Sequence, residues 1–236
     1  MPLVGSGRPH PRAVIFDFDR ALIDPRRAWR YAVEESVASL SRVRIDAGPL
    51  VEEYHTRPFS HAMAILLDDR VLMERCTALA EEMYRRSALK RLLVHEGVGM
   101  ALDALRGEPV DIAAVSRLPR AQAMKQAEST GLDRFLAILV GTGDGQAWNP
   151  VAAARICLDF LEWPVSEAAY IGPDSRDRDA AGRAGMASFC AGWSPGAEPG
   201  ERVIMSPRDV LPDLLRCWAA RAQGAFGSTN WWQPGQ

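Results

Sequence analysis

Residues 13–24 read AVIFDFDRALID. A short β-rich run leads directly into two aspartates, Asp17 and Asp19, one residue apart. The run is apolar throughout rather than alternating, which is the pattern of a strand buried on both faces of a sheet. Two carboxylates this close repel each other. A strand end needs one acid at most to cap the following turn. A pair delivered by a buried strand points instead to a site that handles a metal or a phosphoryl group. On an extended strand end, a two-residue offset puts both side chains on the same side.

Further apolar, β-rich segments follow the same plan: VDIAAVS (110–116), FLAILVG (135–141), AAYIGPD (168–174), MASFCAG (186–192) and a shorter RVIMS (202–206). Helical patterns lie between most of them, at 97–106, 117–132, 150–163 and 207–221. Gly131 suits a helix end, and Pro150 and Pro207 suit first helical turns. This alternation predicts an α/β fold with a Rossmann-like parallel sheet, the strand at about 13–18 central, and helices on both faces. Ligands of such sheets bind beyond the carboxyl ends of the strands. Asp17, Asp19, Ser116 and Asp174 all fall at predicted strand ends of that kind.

The stretch 25–94 breaks the alternation. Its segments RRAWRYAVEESVASLSRV, PLVEEYHTR and DRVLMERCTALAEEMYRRSALKRLL are helix-like, and none reads as a strand. At about 70 residues it is too long for a loop. The predicted organisation is an α/β core at 12–24 and 95–222, an inserted α-helical cap at 25–94, and flexible tails at 1–11 and 223–236. Tyr54, His55, Arg57 and His61 cluster in the cap, where they could face a substrate or simply cap and solvate helix ends. The tail pair Trp231–Trp232 reads as part of a loose end.

Composition narrows the function classes. The chain has 236 residues, 47% of them hydrophobic and 25% charged, with a formal net charge of −2. No basic field invites nucleic acid or an anionic membrane. No apolar run approaches the roughly 20 residues of a membrane-spanning helix. The opening residues lack the apolar core of a secretory signal. The four cysteines, Cys76, Cys157, Cys190 and Cys217, are dispersed without a CxxC; they read as reduced thiols of a cytoplasmic protein. Lysine is confined to Lys90 and Lys125, so arginine carries most of the positive charge.

These motifs together resemble the haloacid dehalogenase-like (HAD) hydrolases, in the phosphoglycolate-phosphatase-like subgroup with a helical cap. The resemblance runs from about residue 12 to 215. The family pattern D-x-D-G-T-L-x-D corresponds to Asp17-Phe18-Asp19-Arg20-Ala21-Leu22-Ile23-Asp24. The hydroxyl residue closing the next sheet strand corresponds to Ser116, and the glycine-acid motif before A-G-M corresponds to YIGPDSRDRDAAGRAGM, 170–186. An acid at position 19 favours phosphatases and phosphomutases over dehalogenases.

The departures are equally specific. Arg20 and Ala21 stand where the family has Gly-Thr. The family lysine has no counterpart; alignment on Pro150 puts Ala147 there. Counting back from A-G-M puts Pro173 at the first acid of the last motif and Asp177 at the second. A one-residue shift makes Asp174 the first, with Asp177 or Asp179 behind it.

The resemblance implies a Mg²⁺-dependent phosphatase acting on a small phosphorylated metabolite. Asp17 would be the nucleophile, through an aspartyl-phosphate, and Asp19 the acid and then the base. Mg²⁺ would be held by Asp17, Asp19 (through its backbone carbonyl), Asp174 and Asp177. Ser116 would bind a phosphate oxygen. Arg117, Arg20 and Arg176 flank the motifs and could replace the lysine or simply be solvated surface arginines. The departures keep two further functions open: a catalytically impaired binding or regulatory protein on the same fold, and a phosphomutase.

Overall fold

A strand with no exposed position needs cover on both faces, and β1 (Ala13–Asp17) is buried along its whole length. The structure, a computed structural model, describes residues 10–54, 57–143 and 149–223. After β1 come a π-helical turn (Phe18–Leu22) and β2 (Ile23–Asp24). Next are α1 (Arg26–Ser41), α2 (Val51–Tyr54), α3 (Phe59–Leu66), α4 (Arg70–Arg86) and β3 (Leu93–Val94). The alternating part follows: α5 (Val98–Arg106), β4 (Asp111–Pro119), α6 (Arg120–Thr130), β5 (Ile138–Thr142), α7 (Pro150–Leu161) and β6 (Ala168–Gly172). It closes with α8 (Ser175–Arg183), β7 (Ala187–Ala191), β8 (Val203–Ile204) and α9 (Val210–Ala222).

Among the described residues, six strands form one parallel sheet in the order β5-β4-β1-β6-β7-β8. β1 pairs with β4 on one side, Ala13 against Asp111 through Asp17 against Val115. On the other side it pairs with β6, Ala13 against Ala168 through Phe16 against Ile171. The Rossmann-like α/β sheet expected from the alternation is therefore present, with β1 inside it. The chain steps outward through β4 and β5, then restarts at β6 on the far side of β1. In open sheets of this kind, ligands bind beyond the carboxyl ends of the strands at such a reversal.

The core follows from strand composition. Ala13, Ile15, Ala113, Val115, Ala168 and Tyr170 share one face of the sheet with Ala153, Ala154, Cys157 and Leu158 of α7. Small strand residues let the helix approach closely, and the Cys157 thiol reaches the Ala114 carbonyl at 3.8 Å. The helix ends obey their local chemistry. Asn149 caps α7 by accepting from the Ala152 N–H at 3.0 Å, with Pro150 in the first turn. Gly131 leaves α6 at φ +69°, a backbone conformation that a Cβ would strain.

The chain divides into two compact units, one of residues Met1–Leu22, His95–Met124 and Leu132–Gln236, the other of Ile23–Val94 and Lys125–Gly131. The second is mostly helical. Trp29, Ala32, Val33 and Val37 of α1 pack with Ala62 and Met63 of α3 and with Cys76 and Ala80 of α4. Trp29 stacks on Phe59 at 6.1 Å, and Phe59 meets Tyr84 edge-on at 5.6 Å. One expectation is corrected here. The stretch 25–94 does contain a strand: β3 pairs antiparallel with β2, Ile23 against Val94 and Asp24 against Leu93. Two-residue strands are too short to carry a period, so the sequence pattern could not reveal them.

Candidate active site

The two aspartates that open the site do not share one extended strand end. β1 stops at Asp17, which is only 2% exposed. Asp19 lies on the π-helical turn that follows, with Phe18 and Leu22 buried beneath it. Tertiary contacts impose the turn by occupying its carbonyls. His95 donates from Nε2 to the Arg20 carbonyl at 2.9 Å, and Trp193 donates from Nε1 to the Ala21 carbonyl at 2.9 Å. The His95 N–H reaches the Leu22 carbonyl at 3.2 Å. The two-residue strand offset expected from the sequence is therefore replaced by a strand end followed by a turn.

The last part of β4, where its pairing with β5 shifts register between Val115 and Pro119, meets that turn. Ser116 donates from Oγ to Asp19 Oδ1 at 2.6 Å, and the Arg117 N–H donates to Asp19 Oδ2 at 2.7 Å. Ser116 Oγ also accepts from the Leu118 N–H at 3.1 Å. The hydroxyl expected to meet a phosphate oxygen is thus committed to a carboxylate. Burial pushes the Asp19 carboxyl above its ordinary range, opposed by the bonds from Ser116 and Arg117. Burial, then the charge of Asp19, pushes Asp17 up to about 7, opposed by Arg117 and Arg20.

Among the described residues, two buried oxygens near Asp17 have no hydrogen-bond partner: its own Oδ2 and the Tyr170 hydroxyl. Burial, then the charge of Asp17, raises the Tyr170 hydroxyl well above its usual range. Gly172 closes the gap between these residues. A Cβ there would lie 3.0 Å from Tyr170 Cε1 and 3.3 Å from the Asp17 Cβ.

The last motif enters from β6. Asp174 caps α8, accepting from the Arg176 N–H on Oδ1 at 2.9 Å. Its Oδ2 faces Arg117 Nη2 at 3.2 Å and Arg20 Nη1 at 3.8 Å. Asp177, in the first turn of α8 and 6% exposed, accepts from the same Arg117 Nη2 on Oδ2 at 2.9 Å. Burial raises the Asp174 carboxyl, but Arg117 and the Arg176 N–H outweigh it and hold the group below its ordinary value. Burial disfavours the Arg117 charge, yet Asp177, Asp17 and Asp174 together raise its pKa. Asp179 and Arg176 are exposed. Arg117, Arg20, Asp17, Asp19, Ser116, Asp174 and Asp177 are therefore brought together.

A second layer, not singled out from the sequence, fixes this arrangement. The Arg178 guanidinium is buried and donates to the carbonyls of Gly172 at 3.2 Å, Pro173 at 2.5 Å and Glu198. Glu198 accepts from the Ser175 N–H at 2.9 Å and from the Ser175 hydroxyl. Arg20 donates to the Gly196 carbonyl at 3.3 Å. The only sequence signal for this layer was the arginine-rich run 176–183. Ala147, His55 and Trp231–Trp232 lie outside the described residues, as does the Tyr54 side chain. Arg57 is exposed and paired with Glu53 at 3.6 Å, and His61 is exposed.

The set of Asp17, Asp19, Asp174 and Asp177 does not fit a magnesium site as arranged. Mg²⁺ demands oxygens in near-octahedral array. Asp174 spends its pair of oxygens on its cap and Arg117, and Asp177 gives Oδ2 to Arg117. Among the described residues, no group of three or more His, Cys, Asp or Glu side chains is placed to hold a metal ion. A guanidinium lies between the acids that would have to converge.

Comparison with known proteins bears on the fold and the family. No protein of curated function matches the chain. In structure it is similar to a HAD-superfamily hydrolase of subfamily IA, variant 1, from Geobacter sulfurreducens: TM-score 0.75, 20% identity, 89% of this chain and 100% of that one. It is also similar to a candidate phosphatase from Clostridium difficile: TM-score 0.73, 18% identity, 86% of this chain and 99% of that one. A candidate phosphoglycolate phosphatase from Lactobacillus delbrueckii gives TM-score 0.72 at 16% identity, covering 87% of this chain and 98% of that one. The model of the family described as haloacid dehalogenase-like hydrolase matches residues 14–191, from β1 to the end of β7 and so across every strand that carries the acids. On that match the chain belongs to the haloacid dehalogenase-like hydrolases.

Proposed function

We propose that the protein is a phosphoric monoester hydrolase for a small phosphorylated metabolite, with Asp17 as nucleophile. One observation carries this reading: a buried carboxylate with an unpartnered oxygen at the central strand's end, beside a second carboxylate and two guanidinium groups. An ionised Asp17 oxygen attacks phosphorus, the bond from phosphorus to the leaving oxygen breaks, and Asp19 supplies the proton that the leaving oxygen takes up. Asp19, now ionised, accepts a proton from water, which attacks the aspartyl-phosphate and releases phosphate. Ser116 acts as a positioning residue for Asp19, and Arg117 with Arg20 offsets phosphate charge.

Hydrolases of this family generally use Mg²⁺. Asp174 and Asp177, two of the acids that would hold it, are taken up by Arg117. The helical unit, Ile23–Val94, is assigned the part of a cap that sets substrate choice, since phosphate handling belongs to the core. Four free, buried cysteines support a reducing, cytoplasmic setting.

A second reading has its own support. A guanidinium shared between Asp174 and Asp177 suits a family member that binds phosphorylated ligands without turning them over. The deciding experiment is hydrolysis of p-nitrophenyl phosphate and a panel of sugar and short-acid phosphates, with and without Mg²⁺. Turnover that Asp17→Asn abolishes and Asp19→Asn lowers by about 10²–10⁴-fold supports the hydrolase. Wild-type rates equal to those of Asp17→Asn across the panel favour the binding protein.

A further inference from the structure

We propose that Arg117 is the built-in cation of the acid cluster, occupying with a guanidinium the position a divalent ion would need, so that the cluster takes up no Mg²⁺. Two separate contacts of one residue support this. The Arg117 backbone N–H is bonded to Asp19 Oδ2 at 2.7 Å, which fixes the chain just beneath the guanidinium. Its Nη2 then reaches Asp177 at 2.9 Å and Asp174 at 3.2 Å. The residue therefore ties the β1 turn to the start of α8 through backbone and side chain together.

The local sequence around the acids agrees with this role. Pro173 precedes Asp174, so that position offers no carboxylate. Asp174 commits Oδ1 to the end of α8, which orients the rest of its carboxylate toward arginines. Arg20 adds a second positive charge 3.8 Å from Asp174 and is itself tethered to the Gly196 carbonyl. A divalent ion entering here would have to expel a guanidinium held at both ends. A planar, permanently charged fork suits paired carboxylates, and a hydrated magnesium ion with strict geometry competes with it poorly.

The inference concerns the charge balance of the site and goes beyond the hydrolase reading, so Mg²⁺ binding and not turnover decides it. Mg²⁺ alone is titrated calorimetrically into the full chain as wild type, Arg117→Met and Arg117→Lys, with thermal unfolding followed at zero and 10-fold excess ion. The wild type is expected to show no saturable Mg²⁺ heat at millimolar ion and no stabilisation by Mg²⁺. Arg117→Met, which keeps the stem and removes the charge, is expected to gain Mg²⁺ binding by at least tenfold, and adding Asp177→Asn should abolish the gain. Arg117→Lys keeps a cation and should resist Mg²⁺ as the wild type does. Saturable wild-type binding, or an Arg117→Met protein that folds yet gains nothing, overturns the proposal. Should Arg117→Met not fold, the wild-type titration decides alone: saturable Mg²⁺ binding overturns the proposal and its absence supports it. A wild type that hydrolyses esters and also binds Mg²⁺ defeats this inference only. One that does neither defeats only the hydrolase.

Discussion

The Ser116 hydroxyl and the Asp19 carboxylate lie 2.6 Å apart although 97 positions separate them in the chain. Their bond joins the end of β4 to the turn after β1 and fixes one orientation of Asp19. Ser116→Ala removes a buried donor to a carboxylate and should cost about 1–3 kcal/mol, read by urea denaturation. Ser116→Thr keeps the hydroxyl and should recover most of it. Equal stability in the alanine variant would show that the bond contributes nothing net.

Asp17 should make stability fall as pH rises. Its folded pKa of about 7 lies above its ordinary value of 3.8, so the folded state holds the proton more tightly between those values. Stability from this group is full below pH 4 and is lost as pH climbs through about 7. Asp17→Asn should therefore melt above the wild type at pH 8, with the difference shrinking toward pH 4. A difference that is flat or reversed with pH would contradict the burial-driven shift. If the hydrolase reading holds, wild-type turnover should also rise as pH passes through about 7.

Arg178 tests the second layer. Its buried guanidinium serves the carbonyls of Gly172, Pro173 and Glu198. Arg178→Met should destabilise by about 2–5 kcal/mol, because charged bonds are lost and buried carbonyls are left unsatisfied. Arg178→Lys should rescue little, since one ammonium cannot reproduce the planar fork. Guanidinium chloride unfolding distinguishes these outcomes.

Gly141 tests how tightly β5 is set against the bend that follows Arg117. A Cβ there would lie 2.5 Å from both the Arg120 nitrogen and the Leu118 carbonyl oxygen. Both neighbours are backbone, so Gly141→Ala has no flexible side chain to displace and should cost about 1–3 kcal/mol by overpacking. Differential scanning calorimetry would register it as a lowered midpoint, and an unchanged midpoint would show that the bend yields freely.

The sequence carried the sheet and the convergence of the acids, because fully apolar runs and the residues ending them are local signals. AVIFD, AAYIG and ASFCA form strands where their composition says they should. The turn at Phe18–Leu22 was illegible, since His95 and Trp193, far away in sequence, hold its carbonyls. Ser116 lies beside Asp19 and donates to its carboxylate, a partner decided by where Asp19 points after the turn. The span of Arg117 could not be read either. It follows Ser116 in sequence, but its charged end serves residues of α8, and only the folded geometry shows that reach.

The position of β1 between β4 and β6 has a consequence for biosynthesis. β1 leaves the ribosome ahead of both its neighbours, one starting at Asp111 and the other only at Ala168. Until the second arrives, one side of an apolar strand is an open edge, the kind of surface that recruits other chains. Nascent chains halted before residue 168 should therefore depend on chaperones, whereas chains extended past β6 can shield that edge themselves.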